Sequence, residues 1–201
     1  MNAKLLVAAI ATLALSAAPA HAADNRAALE LIRKECSSCH GPRGISVSPM
    51  FPNLAGQQAP YLEAQLRAFR DHSRADPHAQ AYMWGMAAQL TDDTVKDIAA
   101  YFASQPPARG TAADPAEVAA GKKIYENGIT AQNVPPCQSC HTPTAGGNGP
   151  FPRLAGQHRR YLEKQLEVFA ANLRANEIMH ANAVNLTALQ ISQLAAFLSS
   201  Q

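Results

Sequence analysis

The sequence predicts an all-α chain built from two similar units in tandem. Three observations carry this reading. Blocks of sequence recur along the 201 residues at an offset of 101, then 100, then 96. Apolar residues recur at helical spacing, and no stretch alternates apolar and polar for long enough to make a strand. All four cysteines fall in one pattern that occurs twice, as Cys36-Ser37-Ser38-Cys39-His40 and Cys137-Gln138-Ser139-Cys140-His141.

The elements follow in order. Asp24 is placed to cap a first helix through Leu29, Leu31 and Ile32 that runs into the first cysteine pair. A loop rich in Gly, Pro and Ser follows His40 and ends near Gly56. Pro60 suits the first turn of a second helix, whose apolar face is Tyr61, Leu62, Leu66 and Phe69, with Arg67 and Arg70 off it. A looser stretch, 72–81, precedes a last helix that Thr91 caps. Asp92 and Asp93 lie at its positive dipole end, and Val95, Ile98, Ala99 and Phe102 form its buried stripe. Two prolines, Pro106 and Pro107, stop that helix and keep the linker extended.

Asp114 and Pro115 open the second unit as N-cap and first helical residue, with Val118, Gly121, Ile124 and Tyr125 inward. A longer insertion, 126–136, precedes the second cysteine pair. Phe51-Pro52-Asn53-Leu54-Ala55-Gly56-Gln57 then returns as Phe151-Pro152-Arg153-Leu154-Ala155-Gly156-Gln157. Tyr61-Leu62-Glu63-Ala64-Gln65-Leu66 returns as the Tyr161 helix, and a Thr187-capped helix closes the chain. The expected domains are 1–22 (export signal), 23–105, a linker 106–113, and 114–201.

C-x-x-C-H is the attachment pattern of a c-type haem. Two thiols add to the two vinyl groups along one porphyrin edge, so they sit about one helical turn apart on the same side. The next residue then lies under the ring, where its imidazole binds iron. A zinc site or a thioredoxin-like redox pair also uses C-x-x-C. Neither explains a histidine directly after both pairs, and a redox pair wants a βαβ context that is lacking. The predicted cofactors are therefore two covalent haem c groups, held by Cys36, Cys39 and His40 and by Cys137, Cys140 and His141. Each unit is small for a domain with its own core, and a porphyrin supplies apolar surface to pack around, so the apo-chain is expected to fold poorly.

The chain begins Met1-Asn2-Ala3-Lys4, continues in an apolar run, 5–15, and reaches an Ala20-His21-Ala22 site. This is a secretory signal with cleavage expected after Ala22, and the run is short for a membrane span. Lys4 is the only charged residue it removes, so the formal charge falls from +2 to +1. Only 16% of residues are charged and no polybasic cluster exists, which disfavours nucleic acid as a partner. The expected compartment is the periplasm, where c-type haem is attached in bacteria.

Thioether sulfur opposite histidine is the ligand set that raises the potential in cytochromes c. Met83 lies seven residues before Leu90, and Met179 seven before Leu186, each just ahead of a capping threonine. These two are the expected sixth ligands, so His40, Met83, His141 and Met179 are the iron ligands. Met50 and Met86 lack methionine counterparts and read as core gap-fillers, with Met86 the rival of Met83. His72, His78, His158 and His180 read as surface or core-rim residues, and Trp84 as packing against the porphyrin. Each proximal imidazole needs an acceptor at its free nitrogen. Pro49 and Pro150 are the expected carbonyls, with Pro52 and Pro152 as alternatives.

These residues together resemble the cytochrome c4 family, in which two class I cytochrome c domains each carry a haem. The resemblance spans the mature chain and rests on C-x-x-C-H, Phe-Pro-x-Leu-Ala-Gly-Gln, Tyr-Leu-x-x-Gln-Leu and Met-x(6)-Leu in both halves. It implies a periplasmic carrier, often associated with the membrane through a partner, that passes electrons to a membrane-bound terminal oxidase. The implied donor is a quinol-oxidising complex or another cytochrome. It also implies two domains packed about a pseudo-twofold axis with the haem propionates toward the interface. Two features depart from the pattern: Thr142 stands where the first unit has Gly41, and the Met83 loop is longer than its partner.

The leading expectation is thus electron transfer without catalysis. The rival is a dihaem oxidoreductase, a peroxidase or an enzyme of sulfur-compound oxidation, with one labile iron and acid–base groups above it. A subunit serving assembly or gas sensing is a third reading. Matched methionines argue for two closed sites and hence for the carrier.

Overall fold

A computed structural model describes residues 20–201, with side chains from Arg26 onward. Residues 1–19 of the expected export signal lie outside these residues, and its expected cleavage point, after Ala22, falls within the backbone of the first helix. The first helix, α1, spans Ala20–Leu31, so Asp24 lies within it and not at its N-cap. A π-helical turn, Ile32–Cys36, carries α1 into α2, Ser37–His40. Then come α3 (Ala59–Arg70), a second π-helical turn (Ala79–Met83), α4 (Trp84–Ala87) and α5 (Asp92–Ala103). The second unit holds α6 (Pro115–Asn127), α7 (Gln138–His141), α8 (Arg159–Ala170), α9 (Glu177–Ala183) and α10 (Ala188–Ser199). Among the described residues there is no strand, only isolated bridges between Ile129 and Val134 and between Asn148 and Phe151.

Local chemistry sets the helix starts. Thr91 accepts from the Thr94 amide, Asp114 accepts from the amides of Ala116 and Glu117, and Thr187 with Gln190 forms a reciprocal capping box. Within each unit the first helix packs on the last, α1 on α5 and α6 on α10, and the middle helix covers them, α3 on α5 and α8 on α10. Val95, Ile98, Ala99 and Phe102 are buried as the spacing predicts. The α6–α10 crossing is close enough to require glycine: a Cβ on Gly121 would lie 2.0 Å from the Gln193 carbonyl oxygen. Ala28 takes the corresponding place in α1, four residues before buried Ile32, as Gly121 stands four before buried Tyr125.

The stretch expected to be loose, 72–81, is only partly so. Asp76 accepts from the Ala79 and Gln80 amides, at 3.4 Å through Oδ1 and 3.0 Å through its carbonyl, and starts the π-helical turn. Asp76-Pro77 is the same opening as Asp114-Pro115.

The two units meet through reciprocal hydrogen bonds that follow an approximate twofold. Gln157 accepts from the Asn53 amide (2.8 Å) and donates to the Asn53 carbonyl (2.9 Å). Gln57 does the same to Arg153, at 2.7 and 2.9 Å. Gln58 donates to the Gly146 carbonyl, and its counterpart His158 to the Ser46 carbonyl. Farther along, the buried Arg74 and Arg174 each reach both Gln65 and Gln165. The linker threads past both units: a Cβ on Gly56 would meet Pro107, and one on Gly156 would meet the Ala108 carbonyl.

Candidate haem sites

Both sites are built where a first helix ends. In unit one, α1 widens into the π turn and delivers Cys36, Cys39 and His40 on α2. Ser37 Oγ donates to the Ile32 carbonyl (2.6 Å), satisfying an acceptor there. In unit two, α7 delivers Cys140 and His141 directly after Cys137. The insertion ahead of it folds back through mutual Ile129–Val134 amide bonds of 2.7 and 3.2 Å.

The imidazoles are prepared as metal donors. His40 Nδ1 donates to the Pro52 carbonyl at 2.9 Å, and His141 Nδ1 to the Pro152 carbonyl at 3.0 Å. A carbonyl acceptor fixes the proton on Nδ1 and leaves the Nε2 lone pair for a metal. Burial also holds both imidazoles below the usual histidine range, against the opposing pull of those carbonyls, which keeps them neutral. The acceptors correct the expected Pro49 and Pro150. Pro49 sits inside a turn closed by the Phe51 amide on the Ser48 carbonyl, and Pro150 inside the Asn148–Phe151 turn, so Pro52 and Pro152 reach the rings instead. The repeat register pairs Pro52 with Pro152 and carried this answer.

No disulfide joins any of the four cysteines. Burial pushes Cys36 and Cys137 up to about 11, the opposite of the depressed values that mark redox-active C-x-x-C pairs. Among the described residues no three His, Cys, Asp or Glu side chains converge as a metal cluster.

On the other side of unit one, Met83 ends the π turn and packs with Phe69, Ala79, Ala87, Trp84 and Leu90. A path of ring edges joins this segment to the proximal side: His40 to Phe51 at 6.1 Å, and Phe51 to Tyr82 at 5.4 Å. Met179 lies in the first turn of α9, its amide donating to Asn176 Oδ1 at 2.9 Å. Met50 and Met86, expected as core fillers, are 40% and 44% exposed. Trp84, expected against the porphyrin, stacks on His72 at 4.0 Å and donates to the Arg74 carbonyl. His72 therefore has a defined role, and its positive φ is matched by that of Asn172. His180 donates from Nδ1 to the Phe169 carbonyl at 2.8 Å.

The residues fit a haem in each unit. A neutral, oriented imidazole adjoins two thiols about one turn apart. Ile45, Val47, Met50, Tyr82 and Met86, in the segments that follow His40 and flank Met83, are exposed apolar or aromatic residues, and Phe151 and Ile178 lie in the matching segments of the second unit. Sequence reasoning missed Arg74, Arg174, Gln57, Gln157, Gln65 and Gln165 as interface residues, although their place in the repeat was visible.

The chain matches the Cytochrome c family model twice, over residues 27–106 and 118–201. It is 40% identical over 201 residues to cytochrome c-552 of Acidithiobacillus ferridurans, covering 99% of this chain and 85% of that protein. It is 38% identical to cytochrome c4 of Azotobacter vinelandii, covering 97% of each. The solved structure of Acidithiobacillus ferrooxidans cytochrome c4 superposes with a TM-score of 0.80 at 40% identity, covering 84% of this chain and 99% of that one. Among the described residues no helix is long and apolar enough to cross a membrane. Two cytochrome c domains, each with its thiol pair and pinned histidine, make this an electron-transfer protein with two covalent haem c groups and not an enzyme, and the chain belongs to the cytochrome c4 family.

Proposed function

We propose that the chain is a periplasmic carrier whose two haems are both six-coordinate, through His40 and Met83 in the first unit and His141 and Met179 in the second. Thioether bonds run from Cys36 and Cys39 and from Cys137 and Cys140. The units are 23–105 and 114–201, joined by 106–113, and residues 1–22 are removed on export. The observation that carries the reading is the repeated pair of buried, neutral imidazoles with Nδ1 pinned by Pro52 and Pro152. The methionines that correspond in the repeat, Met83 at the end of the π-helical turn and Met179 in the first turn of α9, complete it.

The bound haem supplies a one-electron iron couple. The protein's part is to hold the imidazole tautomer, keep protons out of the exchange and surround the site with apolar side chains. With both irons held on two sides by His and Met, an electron enters and leaves by transfer alone. The donor is a quinol-oxidising complex or another cytochrome, and the acceptor a terminal oxidase in the membrane, to which the carrier binds peripherally.

Near-infrared spectroscopy of the oxidised protein tests the ligation. Both haems should give the methionine-to-iron charge-transfer band. Met83→Ala and Met179→Ala should each remove half of it, and Met86→Ala should leave it intact. A high-spin haem in the unmutated protein would return the chain to the labile-iron reading. Intact mass should show a chain beginning at Ala23 plus two haems.

A further inference from the structure

The buried cluster between the units repeats its parts almost completely. Tyr61 and Tyr161, Gln65 and Gln165, Phe69 and Phe169, and Arg74 and Arg174 occupy equivalent places. Each guanidinium lies over the ring of its own unit, Arg74 over Phe69 at 4.7 Å and Arg174 over Phe169 at 4.5 Å. Phe69 in turn packs on Met83, and the Phe169 carbonyl holds His180, the neighbour of Met179.

One position breaks the repeat. Asp76, 1% exposed, pairs with Arg74 at 2.9 Å and starts the turn that ends in Met83. Its counterpart Asn176 starts α9, which carries Met179, and is neutral and exposed. Arg174 is met by Gln65, Gln165 and the Tyr61 hydroxyl, and among the described residues no carboxylate pairs with it. Whatever both haems share cancels in the comparison. Within this cluster, what remains is one buried carboxylate at the start of the turn that ends in Met83, paired with the Arg74 guanidinium.

We propose that Asp76 sets the order of the two reduction potentials, holding the haem of the first unit below that of the second. A buried carboxylate favours the more positive, oxidised iron, and an uncompensated guanidinium favours the reduced one. The electron of the half-reduced protein then resides in unit two. When it arrives there from unit one, one iron loses one electron, the other gains it, and no proton moves. This rests on the two-haem His/Met reading above.

The test is voltammetry of the full-length dihaem protein. Asp76→Asn should raise the lower step and shrink the equilibrium constant between the haems about tenfold, which is 59 mV for one electron. Asn176→Asp keeps the helix cap, since Asp and Asn cap alike. It should lower the upper step by less, and 1 M salt should erase that shift, because the Debye length is then only about 3 Å. Arg74→Gln with Asp76→Asn removes both charges and should return the lower step toward its original place, which a packing defect would not do. Steps unmoved by Asp76→Asn, or an upper step that rises in place of the lower, overturn the proposal while His/Met spectra persist. An open iron in the unmutated protein would instead overturn the underlying reading, and this inference with it.

Discussion

Gly41 and Thr142 follow the two histidines at the same point, and both take a conformation that suits only glycine. Gly41 has φ 78° and ψ 157°, Thr142 φ 69° and ψ 156°. A β-branched residue there costs of order 1–3 kcal/mol. Local bonds hold Thr142 in place: its carbonyl accepts from Tyr125 OH at 2.6 Å, and its Oγ1 from the Gly146 amide at 3.2 Å. Substitution loses the second, together with the 3.4 Å contact between Thr142 Oγ1 and Thr144 Oγ1. Thr142→Gly should therefore stabilise the haem-loaded protein by about 1 kcal/mol, raising Tm by roughly 2–4 °C in calorimetry. An unchanged or lower Tm would mean that the hydroxyl bond matters more than the strain. The same scale explains the acceptor that sequence reading misplaced. Pro49 and Pro52 are chemically alike, and only the turn between Ser48 and Phe51 decides which carbonyl meets His40.

The elements were legible where their causes are local. Thr91, Asp114 and Thr187 announce their helices because a cap acts within three residues. The buried stripe of α5 follows from its spacing alone. The π turn before Met83 stayed hidden behind Pro77 and the polar 72–81 segment, although Asp76-Pro77 repeats a start signal already recognised at Asp114-Pro115. Gly121 was legible as an inward residue of α6, but its reason lies in α10, some seventy residues away in the chain. Adding a methyl there, Gly121→Ala, forces the Gln193 carbonyl and the Phe197 side chain to move. Overpacking of this kind costs about 1–3 kcal/mol. The loss should appear in denaturant unfolding as a lower midpoint, with the first unit's haem spectrum unchanged. A midpoint equal to wild type would show that α6 slides on α10 freely. The haem contacts themselves were legible only as far as the C-x-x-C-H pattern, the repeat and the family resemblance reach.

At the scale of the molecule, the repeated glutamines explain why two units stay together. Gln57 and Gln157 each satisfy an amide and a carbonyl of the opposite unit, and no sequence pattern reveals a partner about a hundred residues away. These groups are buried or half-buried, so losing a side chain leaves backbone donors unpaired at about 1–3 kcal/mol each. In the intact chain the linker hides that cost, because a short tether holds the units at an effective concentration in the millimolar range. Cutting the exposed linker after Arg109 removes the tether and makes association depend on the interface alone. The cut wild-type protein should still migrate as one species at micromolar concentration, held by the reciprocal bonds and the shared Arg74–Arg174 cluster. Gln57→Ala with Gln157→Ala should leave the uncut protein monomeric with both haem spectra intact. After cutting, that variant should separate into two single-haem fragments by size-exclusion chromatography, each with one step in voltammetry. If the cut wild type falls apart as readily as the variant, the glutamine bonds contribute little and the tether alone holds the haems near each other. If neither separates, the arginine cluster and its apolar surround carry the interface without them.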